Sequence, residues 1–178
     1  MKAFKLFLIS AMFLGISLSC KSDKTNTAAS QPSNLVEKTE ATKTDPSKLN
    51  WMNMQAAADY PNPENKKFFI DVYTDWCGWC KVMDKNTFSD PNVVKALNER
   101  FHVVKFNAEQ QQAITFKNKN YEWMNMGRNG VNTLAMELLK GNLSYPSYAY
   151  LDENKNFIKV SMGFMPPDQF LQELATVK

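Results

Sequence analysis

Cys77 and Cys80, three positions apart, are the residues of this chain best suited to chemistry. They stand in the run Asp75-Trp76-Cys77-Gly78-Trp79-Cys80-Lys81. Two thiols at this spacing can close a small disulfide ring and open it again, so thiol–disulfide exchange is the reaction to look for. The flanks decide how reactive the pair would be. Upstream, Lys67–Tyr73 (KFFIDVY) is apolar and rich in β-formers and reads as a buried strand. Downstream, Lys81–Lys85 tolerates a helix. A strand-to-helix junction puts Cys77 at a helix N-terminus, where unpaired N–H groups and the positive dipole end favour an anion. A thiolate there is stabilised, its pKa lowered from about 8.5 towards neutrality. Cys77 is then the attacking thiol, open to visitors, and Cys80, one turn in, the resolving thiol. Gly78 lets the backbone turn tightly into the helix.

Two other uses of the pair stay open on these residues. A structural zinc ion needs four ligands, and one cysteine pair with the lone His102 does not supply them. A purely structural disulfide is the other, but so short a loop constrains the chain little.

The chain has 178 residues and a formal net charge of +3, enough for one domain with appendages. Its lysines are spread among acids and no basic stripe with interleaved aromatics is visible, so nucleic acid is not an expected partner. The third cysteine, Cys20, closes an N-terminal pattern: a basic start at Lys2 and Lys5, then an apolar run from Leu6 to Leu18. That run suits a signal segment and is too short to span a bilayer comfortably. It resembles a bacterial lipoprotein signal, with Cys20 as the lipid-bearing residue, although Ser17 stands where leucine is usual. Ordinary cleavage of a secretory signal nearby is the alternative. Either route exports the chain to a compartment that permits disulfides. The expected organisation is a signal peptide over 1–19, a flexible polar tether over 20–48, and a domain over 49–178 with an insertion near 108–130.

Within the domain, Leu49–Ala58 reads as a short helix with Trp51 and Met54 on one face. Asp90 and Pro91 look like the N-cap and first residue of a helix carrying Val93, Val94 and Leu97. Phe101–Asn107 is the next strand, with His102 a polar residue on it. Ile114–Phe116 and Tyr121–Trp123 alternate around Lys117–Asn120, which suggests an extra hairpin. Met124–Gly130 reads as loop, and Val131–Lys140 as a helix stopped by Gly141. Tyr145–Asp152 and Phe157–Met162 are strands, and Pro167–Leu174 is a closing amphipathic helix with Phe170, Leu171 and Leu174 inward. The fold class this order predicts is α/β: a central mixed β-sheet with helices on both faces.

From Leu49 onward the chain resembles the thioredoxin superfamily, and in particular its exported thiol:disulfide interchange proteins. Trp76-Cys77-Gly78-Trp79-Cys80-Lys81 is similar to the family's Trp-Cys-Gly-Pro-Cys-Lys signature. Asp71 falls where the family carries a buried acid under the second cysteine, and Lys105 where it carries a nearby lysine. Pro146 matches its cis-proline, and Gly163 and the last helix match in order. The resemblance implies a three-layer α/β/α fold and a redox-active Cys77–Cys80 disulfide with no other cofactor and no metal. Asp71 would take the proton from Cys80, its pKa raised by burial and moderated by Lys105. Trp76, Gly78, Trp79, Tyr145 and Pro146 would meet the substrate, an extended client segment pairing with the backbone beside Pro146. It also implies client proteins with disulfides, a membrane thiol:disulfide reductase as electron donor, and a lipid-anchored periplasmic location. Trp79 in place of the family's proline means that thioredoxin's strongly reducing potential does not carry over. An oxidase, an isomerase, or a non-catalytic partner- or metal-binding lipoprotein are the alternatives.

Overall fold

A computed structural model describes residues 45–127 and 129–178. The expected leader, most of the tether and Cys20 lie outside the described residues. The centre is a five-stranded sheet in the order β1-β3-β2-β8-β9. Its strands are β1 (Met52–Asn53), β2 (Lys67–Tyr73), β3 (Phe101–Asn107), β8 (Ser147–Leu151) and β9 (Phe157–Met162). β1, β3 and β2 run parallel, and β8 and β9 are antiparallel to their neighbours. β2 is the middle strand and is buried on both faces, which is why it reads as a nearly continuous apolar run.

Side chains alternate across the sheet and divide the core in two. One layer gathers Phe68, Ile70 and Val72 with Val104, Phe106 and Ala149 under α1 (Met54–Asp59) and α4 (Thr133–Leu138). The other gathers Phe69, Val103, Tyr148 and Tyr150 under α3 (Pro91–Arg100) and α5 (Pro167–Ala175). Aromatic rings fill the second layer: Phe69 stacks on Tyr148 at 5.7 Å and meets Phe88 and Phe170 edge-on. Phe170 and Leu174 are buried in it and Leu171 packs at its margin, the inward face expected of the last helix. The three-layer α/β/α arrangement predicted from the order of elements is the one observed. Asp90 caps α3 through Oδ1, which accepts the N–H groups of Asn92 and Val93, with Pro91 in the first turn.

Three local readings change. Leu49–Ala58 is not one helix: Trp51 precedes the short strand β1, and α1 begins only at Met54. Trp51 and Met54 therefore do not share a face. Trp51 packs on Phe69 and Phe88, and Met54 lies in the opposite layer. The hairpin of β4 (Ile114–Phe116) and β5 (Lys119–Tyr121) turns on Lys117 and Asn118, both at positive φ as a two-residue turn requires. A second hairpin follows where a loop was expected, pairing β6 (Trp123–Met126) with β7 (Asn129–Asn132). It takes Val131 and Asn132 from the predicted helix, so α4 starts at Thr133 with Asn132 as its N-cap. Backbone bonds anchor it to the domain: Asn132 N–H to the Ala108 carbonyl at 2.7 Å and Thr133 N–H to the Glu122 carbonyl at 2.9 Å.

Candidate functional site

The turn from β2 into α2 (Gly78–Val82) is built by its own backbone. Cys77 N–H donates to the Thr74 carbonyl at 3.1 Å, and Cys77 is the N-cap, its Sγ accepting the Cys80 N–H at 3.1 Å. Cys77 and Cys80 form a disulfide across a Cα–Cα distance of 5.3 Å. The helix continues as a π-helical stretch, Met83–Thr87, pinned by buried Met83 and by the Thr87 hydroxyl donating to the Met165 carbonyl at 2.7 Å. Gly78 does not have a positive φ, so the turn itself does not demand glycine. A Cβ at Gly78 would meet nothing within 4 Å, so the space over the helix start is open. Both cysteines are buried, Cys77 at 4% exposure. In this oxidised state the Cys77 sulfur is bonded to Cys80 Sγ and also accepts the Cys80 N–H.

A charged cluster joins the strand before this turn, its neighbour β3 and the helical stretch after it. The parallel register of β2 and β3 sets Asp71 beside Lys105, thirty-four positions away in sequence. Lys105 Nζ donates to Asp71 Oδ2 at 2.6 Å and also to Asp84 Oδ1. The ammonium sits over the rings of Trp51 at 4.8 Å, Tyr73 at 5.2 Å and Phe88 at 5.5 Å. Asp71 is fully buried and its Oδ1 has no hydrogen-bond partner among the described residues. Burial pushes its carboxyl up to about 6, against the pull of the Lys105 charge and hydrogen bond. Burial works against the Lys105 charge as well, but Asp71 and Asp84 together hold its pKa above the usual lysine value. The expected proximity of Asp71 and Lys105 is met. Asp84 is the member that sequence reasoning missed. The available signal was an acidic residue four positions after Cys80 in a run that tolerates a helix.

The rim is aromatic. Trp76 and Trp79 are each 60% exposed. Trp76 Nε1 donates to Glu109 Oε1 at 2.9 Å, and its ring meets Tyr145 edge-on at 5.9 Å. Trp79 lies against Phe164 at 5.3 Å. The Tyr145–Pro146 peptide is cis, and the Pro146 carbonyl accepts the Gly163 N–H at 2.8 Å. Among the described residues, neither the N–H nor the carbonyl of Tyr145 has a backbone partner. His102 lies apart from this site, its Nε2 at 2.8 Å from Asn62 Oδ1 and 3.6 Å from Glu64, with burial lowering its pKa. No cluster of three or more His, Cys, Asp and Glu side chains fit to hold a metal ion occurs among the described residues.

Comparison with known proteins agrees with this geometry. The family model Thioredox_DsbH, described as a protein of unknown function, DUF255, matches residues 34–172. The thiol:disulfide interchange protein DsbD of Haemophilus influenzae (strain PittEE) is 33% identical over 103 residues, 57% of this chain. This chain spans only 14% of that relative's length. Two solved structures share the fold. A thioredoxin from Thermus thermophilus has a TM-score of 0.53 at 17% identity, over 72% of this chain and 86% of that one. A structure titled DsbH Oxidoreductase has a TM-score of 0.51 at 13% identity, over 78% and 92%. Because the family match runs through most of the chain, on a thioredoxin-type sheet with its cysteine pair intact, this chain belongs to the Thioredox_DsbH family.

Proposed function

We propose that this chain is an exported thiol:disulfide oxidoreductase that reduces or interchanges disulfides in client proteins. The observation that carries the reading is a Cys77–Cys80 disulfide at a helix start, directly after Trp76, whose ring meets Tyr145 of the Tyr145–cis-Pro146 pair. In the reduced protein the Cys77 thiolate attacks one sulfur of a client disulfide, forms a mixed disulfide and expels the other client sulfur as a thiolate. The Cys80 thiolate then attacks Cys77 Sγ and expels the second client sulfur. Two electrons pass to the client, and Cys77–Cys80 is left oxidised.

Cys80 must lose a proton for the second step. Asp71 is its acceptor in this reading: a buried carboxylate pushed up to about 6 is ionised at neutral pH yet basic enough to take a proton. Lys105 and Asp84 set that basicity. The unpaired Tyr145 backbone supports pairing with an extended client segment, with Trp76 and Trp79 as the apolar rim. The open space over Gly78 leaves room for that segment.

A dithiol donor must re-reduce the pair, and a membrane thiol:disulfide reductase is the proposed one. The named relative is an interchange protein, which favours reduction and interchange over oxidation. The N-terminal pattern ending at Cys20 supports a lipid anchor, with the domain held by a tether at the periplasmic face of a membrane. The test is insulin-disulfide reduction with dithiothreitol as donor. The chain should accelerate precipitation of the insulin B chain, and Cys77→Ser should abolish the acceleration. Equal inertness of both proteins refutes the proposal.

A further inference from the structure

The second hairpin is the part of the domain that this redox chemistry leaves unused. In its antiparallel register Met124 pairs with Val131 and Met126 with Asn129, so these four side chains share one face. Trp123, Asn125 and Gly130 share the other. The first face closes a groove of about 320 Å³, lined by Met126, Asn129, Val131, Leu143, Tyr145 and Trp76, with Glu109 also on its wall. Two of its lining residues neighbour the redox turn in the chain, since Trp76 directly precedes Cys77 and Tyr145 directly precedes the cis Pro146.

We infer that this groove seats a large apolar side chain of the client polypeptide flanking the cysteine under attack. The hairpin thereby selects protein disulfides with apolar neighbours and disfavours those with acidic ones. The inference rests on the redox reading above and adds its substrate class. A polypeptide is the occupant because the Tyr145 backbone offers an unpaired donor and acceptor beside the groove. An extended segment pairing there sends same-side residues into the groove at intervals of roughly 7 Å. The walls are mostly apolar and open, with Met126 50% and Trp76 60% exposed, and an uncovered patch of this kind marks an interaction surface. Two fixtures hold the shape. Glu109 fixes the Trp76 indole, and Trp123 lies against Gly130 so closely that a Cβ there would fall 1.9 Å from the ring. Methionine walls adapt to differing shapes, so leucine, methionine and phenylalanine should be accepted alike. Among the described residues lining the groove, Glu109 carries the charge, and it repels an acidic neighbour.

The test uses the full chain, reduced with dithiothreitol and freed of it. Three synthetic peptides each carry one cysteine as a mixed disulfide with thionitrobenzoate and differ only in the flanking residues: leucine, alanine or aspartate. Cys77 attacks the peptide sulfur and releases coloured thionitrobenzoate, and Cys80 then releases the peptide thiol. The leucine peptide should react about tenfold faster than the alanine peptide, and the aspartate peptide slowest. In Met126→Asp the leucine-to-alanine ratio should fall towards one, and Met126→Ser should give an intermediate ratio. A ratio near one in the unaltered chain, or a preference kept in both variants, overturns the groove and leaves the redox reading standing. If the unaltered chain reacts with none of the peptides, the redox reading fails and the groove with it.

Discussion

Replacing Asp71 by asparagine removes the one buried carboxylate of the site, and its effect on stability can be worked out in advance. The carboxyl ionises at about 6 in the folded chain against an ordinary value of 3.8. Below the lower value it is protonated in both folded and unfolded chains and contributes no difference. As pH rises from 3.8 towards about 6, the unfolded chain gives up its proton while the folded chain keeps it. Stability therefore falls with rising pH in this window, by about 1.4 kcal/mol per pH unit. Above the folded value the loss is complete, at about 3 kcal/mol. Asparagine does not titrate, so Asp71→Asn escapes this loss. The variant gives up the 2.6 Å bond from Lys105, but that offset is constant with pH, because Lys105 keeps its charge and its bond to Asp84. Urea unfolding of both proteins, disulfide intact, at steps from about pH 4 to about pH 8 separates the two contributions. Relative to its value at the acid end, the variant should gain about 2.5 kcal/mol over the parent at the alkaline end, since the unfolded chain is already part-ionised at about pH 4. A difference that stays flat with pH, or shrinks as pH rises, would refute the assignment of Asp71 as a buried, reluctantly ionised acid.

Lys105→Met should move the same step the other way. Without the lysine charge and hydrogen bond, burial acts on Asp71 unopposed, so its titration should shift to higher pH. Carboxyl carbon NMR of Asp71 would show the shift, and an unmoved or lower value would contradict the cluster as described. Gly130→Ala tests the second hairpin, since the added methyl must push the Trp123 ring aside. A loss of about 1 kcal/mol in urea unfolding is expected, the low end of overpacking because the ring is half-buried and can give way. The Trp123 indole N–H resonance should move with it. No change in either would mean that the ring does not lie on Gly130.

Much of this domain is readable from the chain alone because its signals are local. β2 is apolar because it is buried on both faces, and α3 starts at Asp90 and Pro91 because a capping carboxylate and a donor-free residue belong at a helix start. The cysteine pair, with its strand before and helix after, needs no distant partner to be recognised. Chain order likewise fixed the mixed sheet and its two helical layers.

Tertiary structure decided whatever depends on residues distant in sequence. Nothing near Trp51 says that it will close over Lys105 while Met54, three positions on, enters the opposite layer. Asp84 joins Asp71 only because the parallel register brings Lys105 beside them both. The second hairpin was illegible because Met124–Gly130 lacks β-branched residues, and its pairing is held by backbone bonds to Ala108 and Glu122. The burial of Cys77 was illegible for a related reason: local spacing reveals a ring-forming pair, but only the folded chain shows the disulfide-bonded residue buried. Periodicity, caps and motif spacing act over a few residues, whereas burial and charge pairing are set by whatever the fold brings together.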